Sequence, residues 1–185
     1  MELVTWAQAV ARELLAGVLP RRWRHVESAA TEAVRIVDMV GPDGELLIAA
    51  VVLHDVGYAP DLAETGFHPL DGALYLRRIG ASERLCALVA HHSAARVEAE
   101  IRGLADQLDD FEDERTPVRD ALWYCDMVTG PDGQRFTFNQ RLHEITERYG
   151  PDSVTGRFLV LARDELRAAV ERTEERIRAG FSQPR

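Results

Sequence analysis

Apolar positions recur three and four residues apart along most of this chain, the spacing of helices that bury one face. Trp6, Val10, Leu14 and Val18 share one side of a first helix, with Thr5 as its cap and Pro20 as its end. Val26, Ala29, Ala30, Ala33, Val34, Val37 and Val40 mark the inward face of a second, stopped by "GPDG" at 41–44. "HPLDGALYLRRIG" predicts a helix closed by Gly80. Ser82 caps "SERLCALVAHH", and Thr116-Pro117 opens a helix through "VRDALWYCDMVTG". A long helix over about 156–179 places Phe158, Ala162, Leu166, Ala169 and Ile177 on one stripe.

Two segments do not follow this rhythm. Leu46 to Leu53 is apolar on every side, and periodicity alone does not separate a buried strand from a buried helix. The acidic stretch from Asp106 to Glu114 reads as a solvated loop. A second "GPDG" at 130–133 is recurring turn chemistry rather than an internal repeat. With no proline- or glycine-rich linker, the chain is expected to be one all-α domain over 1–185. Its motif-bearing core covers about 21–130 and its C-terminal helices about 136–179.

Composition narrows the chemistry. A net charge of -9 leaves no Lys/Arg excess to replace the counterions of a nucleic-acid polymer. All 22 basic residues are arginine, which removes Schiff-base and P-loop lysines from consideration. Cys86 and Cys125 are too few and too far apart for a CxxC metal site, and read as small buried hydrophobes in a reducing compartment. No segment approaches the roughly 20 apolar residues that span a bilayer, and no signal-peptide pattern opens the chain. A cytoplasmic protein without a membrane partner is the expectation.

Six histidines remain: His25, His54, His68, His91, His92 and His143. A lone histidine beside apolar residues is ordinarily a hydrogen-bonded structural group. Register argues otherwise here, because His25 shares a helix face with Ala29 and Ala33, and Asp126 shares one with Val118 and Leu122. His91 or His92, or both, turn inward with Leu85 and Leu88. An inward carboxylate is expensive without a cation or several donors. A divalent transition metal (Mn, Fe, Co, Ni or Zn) satisfies carboxylates and neutral imidazoles together.

The order of these residues resembles the HD-domain superfamily of metal-dependent phosphohydrolases. That family has a histidine, a His-Asp doublet and a distant aspartate, here His25, "LHDVG" with His54 and Asp55, and Asp126 in "YCDMVTG". "HPLDGA" resembles the segment supplying a second-metal ligand, His68, and "AHHSAA" resembles the downstream double histidine. The resemblance implies a helical bundle in which 46–53 is a buried helix carrying the doublet inward. It also implies one or two ions held by His25, His54, Asp55, His68, His91, His92 and Asp126.

Asp55 would bridge the ions and, with Asp126 and Tyr58, form the catalytic set acting on a small phosphorylated substrate. His92 and Arg96 are candidate substrate contacts, although a surface ion pair with Glu98 or Glu100 would equally occupy Arg96. Tyr58 stands where many members carry lysine, and packing would also account for it. Nothing in the family corresponds to His143, which is expected on the surface. Two further readings stay open, a mixed-valent di-iron oxygenase on nearly the same ligands and a binding domain without turnover.

Overall fold

A computed structural model of the chain describes residues 2–181, and among them the regular structure is helical. Helices α1 (Glu2–Leu15), α2 (Pro20–Ile36) and α3 (Gly44–Leu53) are followed by α4 (His68–Arg78), α5 (Glu83–Ala90) and α6 (Ala95–Arg102). Then come α7 (Ala105–Leu108), α8 (Pro117–Met127), α9 (Phe138–Tyr149) and α10 (Val154–Phe181).

Helix α3 is the axis of the bundle. Leu47, Ala49, Ala50, Val51, Val52 and Leu53 are all buried, with α1, α2, α5 and α8 packed around them. An apolar run on every side needs protein on every side, so the ambiguous segment became a helix in the one place where that holds. Its small alanines let neighbouring helices come close.

Other boundaries moved. The first helix begins at Glu2 with Thr5 inside it, and Val18 lies in the following turn, 59% exposed. The second starts at Pro20, which suits a first helical position where no N–H is needed. It ends at Ile36, residues 37–43 wind as 3-10 turns, and within the helix Val34 faces outward at 56% exposure while Ala33 and Ile36 are buried. The acidic stretch is not a plain solvated loop. It includes α7, buries Leu108 and Phe111, and sets Asp113 against Arg119 and Glu114 against Arg84. Two apolar anchors and arginine partners, which charge counting overlooks, hold it down. The expected cap at Thr116 accepts from Arg119 N at 3.5 Å, and α10 buries Phe158, Ala162, Leu166 and Ala169 as its stripe requires.

Candidate metal centre

Most of the functional groups sit at the ends of elements, while His25 lies within α2. Helix α3 stops at Leu53, so His54 and Asp55 emerge where the most buried helix terminates, and both are almost fully enclosed. His68 is the first residue of α4, followed by Pro69. The loop before it is tied down by Asp71, whose carboxylate accepts from Thr65 N and Oγ (2.8 Å each) and Gly66 N (3.1 Å). His92 follows α5 in a tight turn in which Ser93 and Ala94 both adopt left-handed backbone, φ 48° and 57°. Side chains other than glycine rarely accept that conformation, each such residue costing on the order of 1–3 kcal/mol. His92 Nε2 comes within 3.1 Å of His68 Nε2, and Ser93 Oγ donates to Asp126 Oδ2 at 2.5 Å.

These groups form two triplets able to hold a metal ion: His25, His54 and Asp126, and Asp55, His68 and His92. Asp55 joins them. Its Oδ2 lies 3.2 Å from His54 Nε2 and 3.7 Å from His25 Nε2, while its Oδ1 lies 3.4 Å from His68 Nε2. Asp126 Oδ1 lies 3.2 Å from His25 Nε2.

The tautomers fit a metal. Carbonyl oxygens only accept, so His54 Nδ1 donates to Val51 O (2.7 Å), His92 Nδ1 to Val89 O (2.6 Å) and His25 Nδ1 to Gly130 O (3.2 Å). With the Nδ1 protons committed, each ring in its neutral form turns a bare Nε2 lone pair into the centre. His25 and His54 then face each other Nε2 to Nε2 at 3.3 Å, a contact that requires a cation or an added proton between two lone pairs. The second "GPDG" thereby acquires a use, since its Gly130 carbonyl fixes the His25 tautomer.

Charge agrees with geometry. Burial alone would raise Asp55, but Arg22 and then His54 and His25 hold its carboxyl well below the usual range. Asp126 is likewise held low against burial by His25, His54 and Arg141. Burial lowers His92 to about 4, helped by His54, and lowers His68, helped by His92, so both imidazoles are neutral at pH 7. His54 is the exception, since burial is outweighed by Asp55 and Asp126, which lift it to about 9 and so draw positive charge to this corner.

The remaining candidates separate. His91 turns away, donating from Nε2 to Phe111 O at 2.7 Å while its own carbonyl accepts from Trp123 Nε1 at 2.9 Å. It is a structural group, and His92 alone of the pair joins the cluster. Arg96 pairs with Glu100 and Asp109 on the surface and is not a wall of the cavity over the cluster. His143 is exposed. Tyr58 stacks on His68 at 3.8 Å between ring centroids and carries the Arg22 guanidinium 3.9 Å over its other side. It thus packs against His68 and lines the pocket at once.

Sequence reading missed the arginines. A 90 Å³ cavity opens onto Asp55, His68, His92 and Asp126 and is walled by Arg22, Arg141 and Arg148. Arg22 Nη1 donates to Asp55 Oδ2 at 2.8 Å, and the nearly buried Arg141 places Nη2 3.7 Å from Asp126 Oδ1. Arg22 lies one turn before His25 on the same helix face, a spacing that could have flagged it. Arg141 and Arg148 come from α9, distant in sequence.

The HD domain family model matches residues 22–121. The chain belongs to the HD-domain family. Its helical architecture and its histidine and aspartate groups accord with a family composed mostly of metal-dependent hydrolases that bind divalent ions. No solved structure matches the chain. The family match ends before Asp126 and before α9, so the last carboxylate and two of the arginines lie beyond it. Among the described residues, no helix is long and apolar enough to cross a membrane.

Proposed function

We propose that this HD-domain protein hydrolyses a small phosphate ester with two divalent cations, one in each triplet. The observation that carries the reading is Asp55, whose two oxygens face different triplets, Oδ2 toward His25 and His54 and Oδ1 toward His68. A pair of ions held there supplies Lewis-acid polarisation and a water acidic enough to lose its proton near neutral pH.

The chain's own residues do the rest. Arg22, Arg141 and Arg148 stand at the cavity wall, Arg22 paired with Asp55 and the other two with Glu144, and their remaining N–H groups can donate to phosphoryl oxygens, which supports an anionic substrate in a protein of net charge -9. Ser93 fixes the rotamer of Asp126 through its short hydrogen bond. Tyr58 keeps the His68 ring in plane and closes one side against bulk water. The cavity is small, which favours a terminal phosphate over a polymer backbone.

The test is metal analysis of anaerobically purified protein together with a panel of aryl phosphates and nucleotides in added Mn, Co or Ni. Bound metal with turnover that chelation abolishes is the expected result. Full activity after chelation would overturn it, and two irons per chain with no phosphoester turnover would favour the di-iron oxygenase reading instead.

A further inference from the structure

Val160 and Leu161 are the most exposed large hydrophobic side chains among the described residues, at 76% and 66%, and they are neighbours on α10. The inward stripe of that helix, Phe158, Ala162, Leu166 and Ala169, is buried, with α6, α8 and α9 packed against the helix. Scattered exposed apolar residues need no explanation, but two that project side by side from a helix already packed on its other face leave apolar area without a cover. Phe158 and Leu159 of the same turn wall the cavity over the metal cluster, so the patch lies on the back of that wall.

Charge frames the patch. Arg157 lies three residues before Val160 and Asp164 three after Leu161, so all four share the outward face of α10 within about two turns. Both charged side chains are exposed, and neither enters an ion pair with another described residue. Seven residues put them about 10 Å apart along the axis, too far to pair with each other.

The arrangement is its own complement. When two copies of α10 lie antiparallel about a two-fold axis passing between Val160 and Leu161, Arg157 stands level with the partner's Asp164, and Asp164 with the partner's Arg157. Val160 then meets the partner's Val160 on one side of the axis, and Leu161 the partner's Leu161 on the other. A parallel pairing sets Arg157 against the partner's Arg157, so charge selects the antiparallel one.

We propose that this face is an isologous interface and that its occupant is a second copy of the chain. Four side chains from each copy bury less than the roughly 1,200–2,000 Å² of a stable interface, so the dimer should dissociate on dilution. Sedimentation velocity over a range of protein concentration tests it, and the wild-type chain should show monomer–dimer exchange. Leu161→Glu should remove the dimer. Arg157→Asp and Asp164→Arg should each weaken it roughly tenfold or more, as two attractive contacts become repulsive. All three positions are exposed, so the melting temperature should not change. Mixing the Arg157→Asp and Asp164→Arg chains should restore association, because each offers the charge that the other lacks. A wild-type chain that stays monomeric at every concentration overturns the proposal. A dimer that survives Leu161→Glu, or two charge variants that fail to associate when mixed, overturns it as well by placing any contact elsewhere.

Discussion

His68 and His92 meet Nε2 to Nε2 at 3.1 Å, although 24 residues separate them and each comes from the end of a different helix. His92 has its Nδ1 proton on Val89 O, so its Nε2 presents a lone pair to His68. Burial keeps both rings neutral, and Asp55 Oδ1 completes the triplet.

His68→Ala should therefore remove one metal per chain, leaving about one, and depress kcat sharply by withdrawing one of two Lewis acids. Metal stoichiometry measured beside wild type decides the matter. An unchanged ratio would reduce the centre to a single ion.

Loss of the shared carboxylate should be more severe. Asp55→Ala is expected to abolish binding of both ions, while His143→Ala, at an exposed position outside the cluster, changes neither metal content nor turnover. Chelation of the wild-type protein should lower its melting temperature, because bound metal stabilises only the folded chain. Asp55→Ala should lose that response, which differential scanning calorimetry with and without chelator would reveal.

A glycine sets the distance between the two halves of the site. A Cβ at Gly57 would fall 2.0 Å from His68 O and 2.6 Å from Gly72 N, both backbone atoms that have little room to yield. Gly57→Ala should push α4 away from the His-Asp turn, costing about 1–3 kcal/mol as an overpacking substitution. The second metal should weaken more than the first, since His68 moves with α4 and His25 does not. Denaturant melts and metal stoichiometry read the two effects separately.

Away from the site, Asp120 on α8 accepts from Arg172 at 2.7 and 2.8 Å and from Arg176 at 3.0 Å, both on α10. Burial would raise its pKa, but the Arg172 and Arg176 hydrogen bonds outweigh burial and hold it below the usual value. A carboxylate depressed in the folded state contributes stability that is fully present above its unfolded pKa of about 3.9 and is lost as pH falls through the lower folded value. Asp120→Asn should cost about 1–3 kcal/mol at neutral pH. The gap from wild type should narrow as acid protonates Asp120 in the folded chain, as urea melts at neutral and at acidic pH would show.

Much of the centre was legible in the sequence because metal ligation restricts residue type. His25 and Asp126 stand on apolar helix faces, where a lone pair or a charge is costly without a cation, while the family resemblance, rather than their own surroundings, picks out His54, Asp55 and His68. The helices with one apolar stripe were legible for a similar reason, since a 3.6-residue period has one regular structure that matches it. What only the tertiary structure decided was direction and company. Adjacent His91 and His92 have nearly the same sequence surroundings, yet the left-handed turn at Ser93 and Ala94 sends His92 to the cluster and leaves His91 on Phe111. For α3, periodicity alone left strand and helix open, and only the family resemblance implied a helix; its enclosure by α1, α2, α5 and α8 is the physical reason that a run apolar on every side is buried there. Arg141 and Arg148 were invisible because an arginine on an amphipathic helix looks like any solvated charge until packing turns it toward a carboxylate more than a dozen residues away, as α9 turns Arg141 toward Asp126.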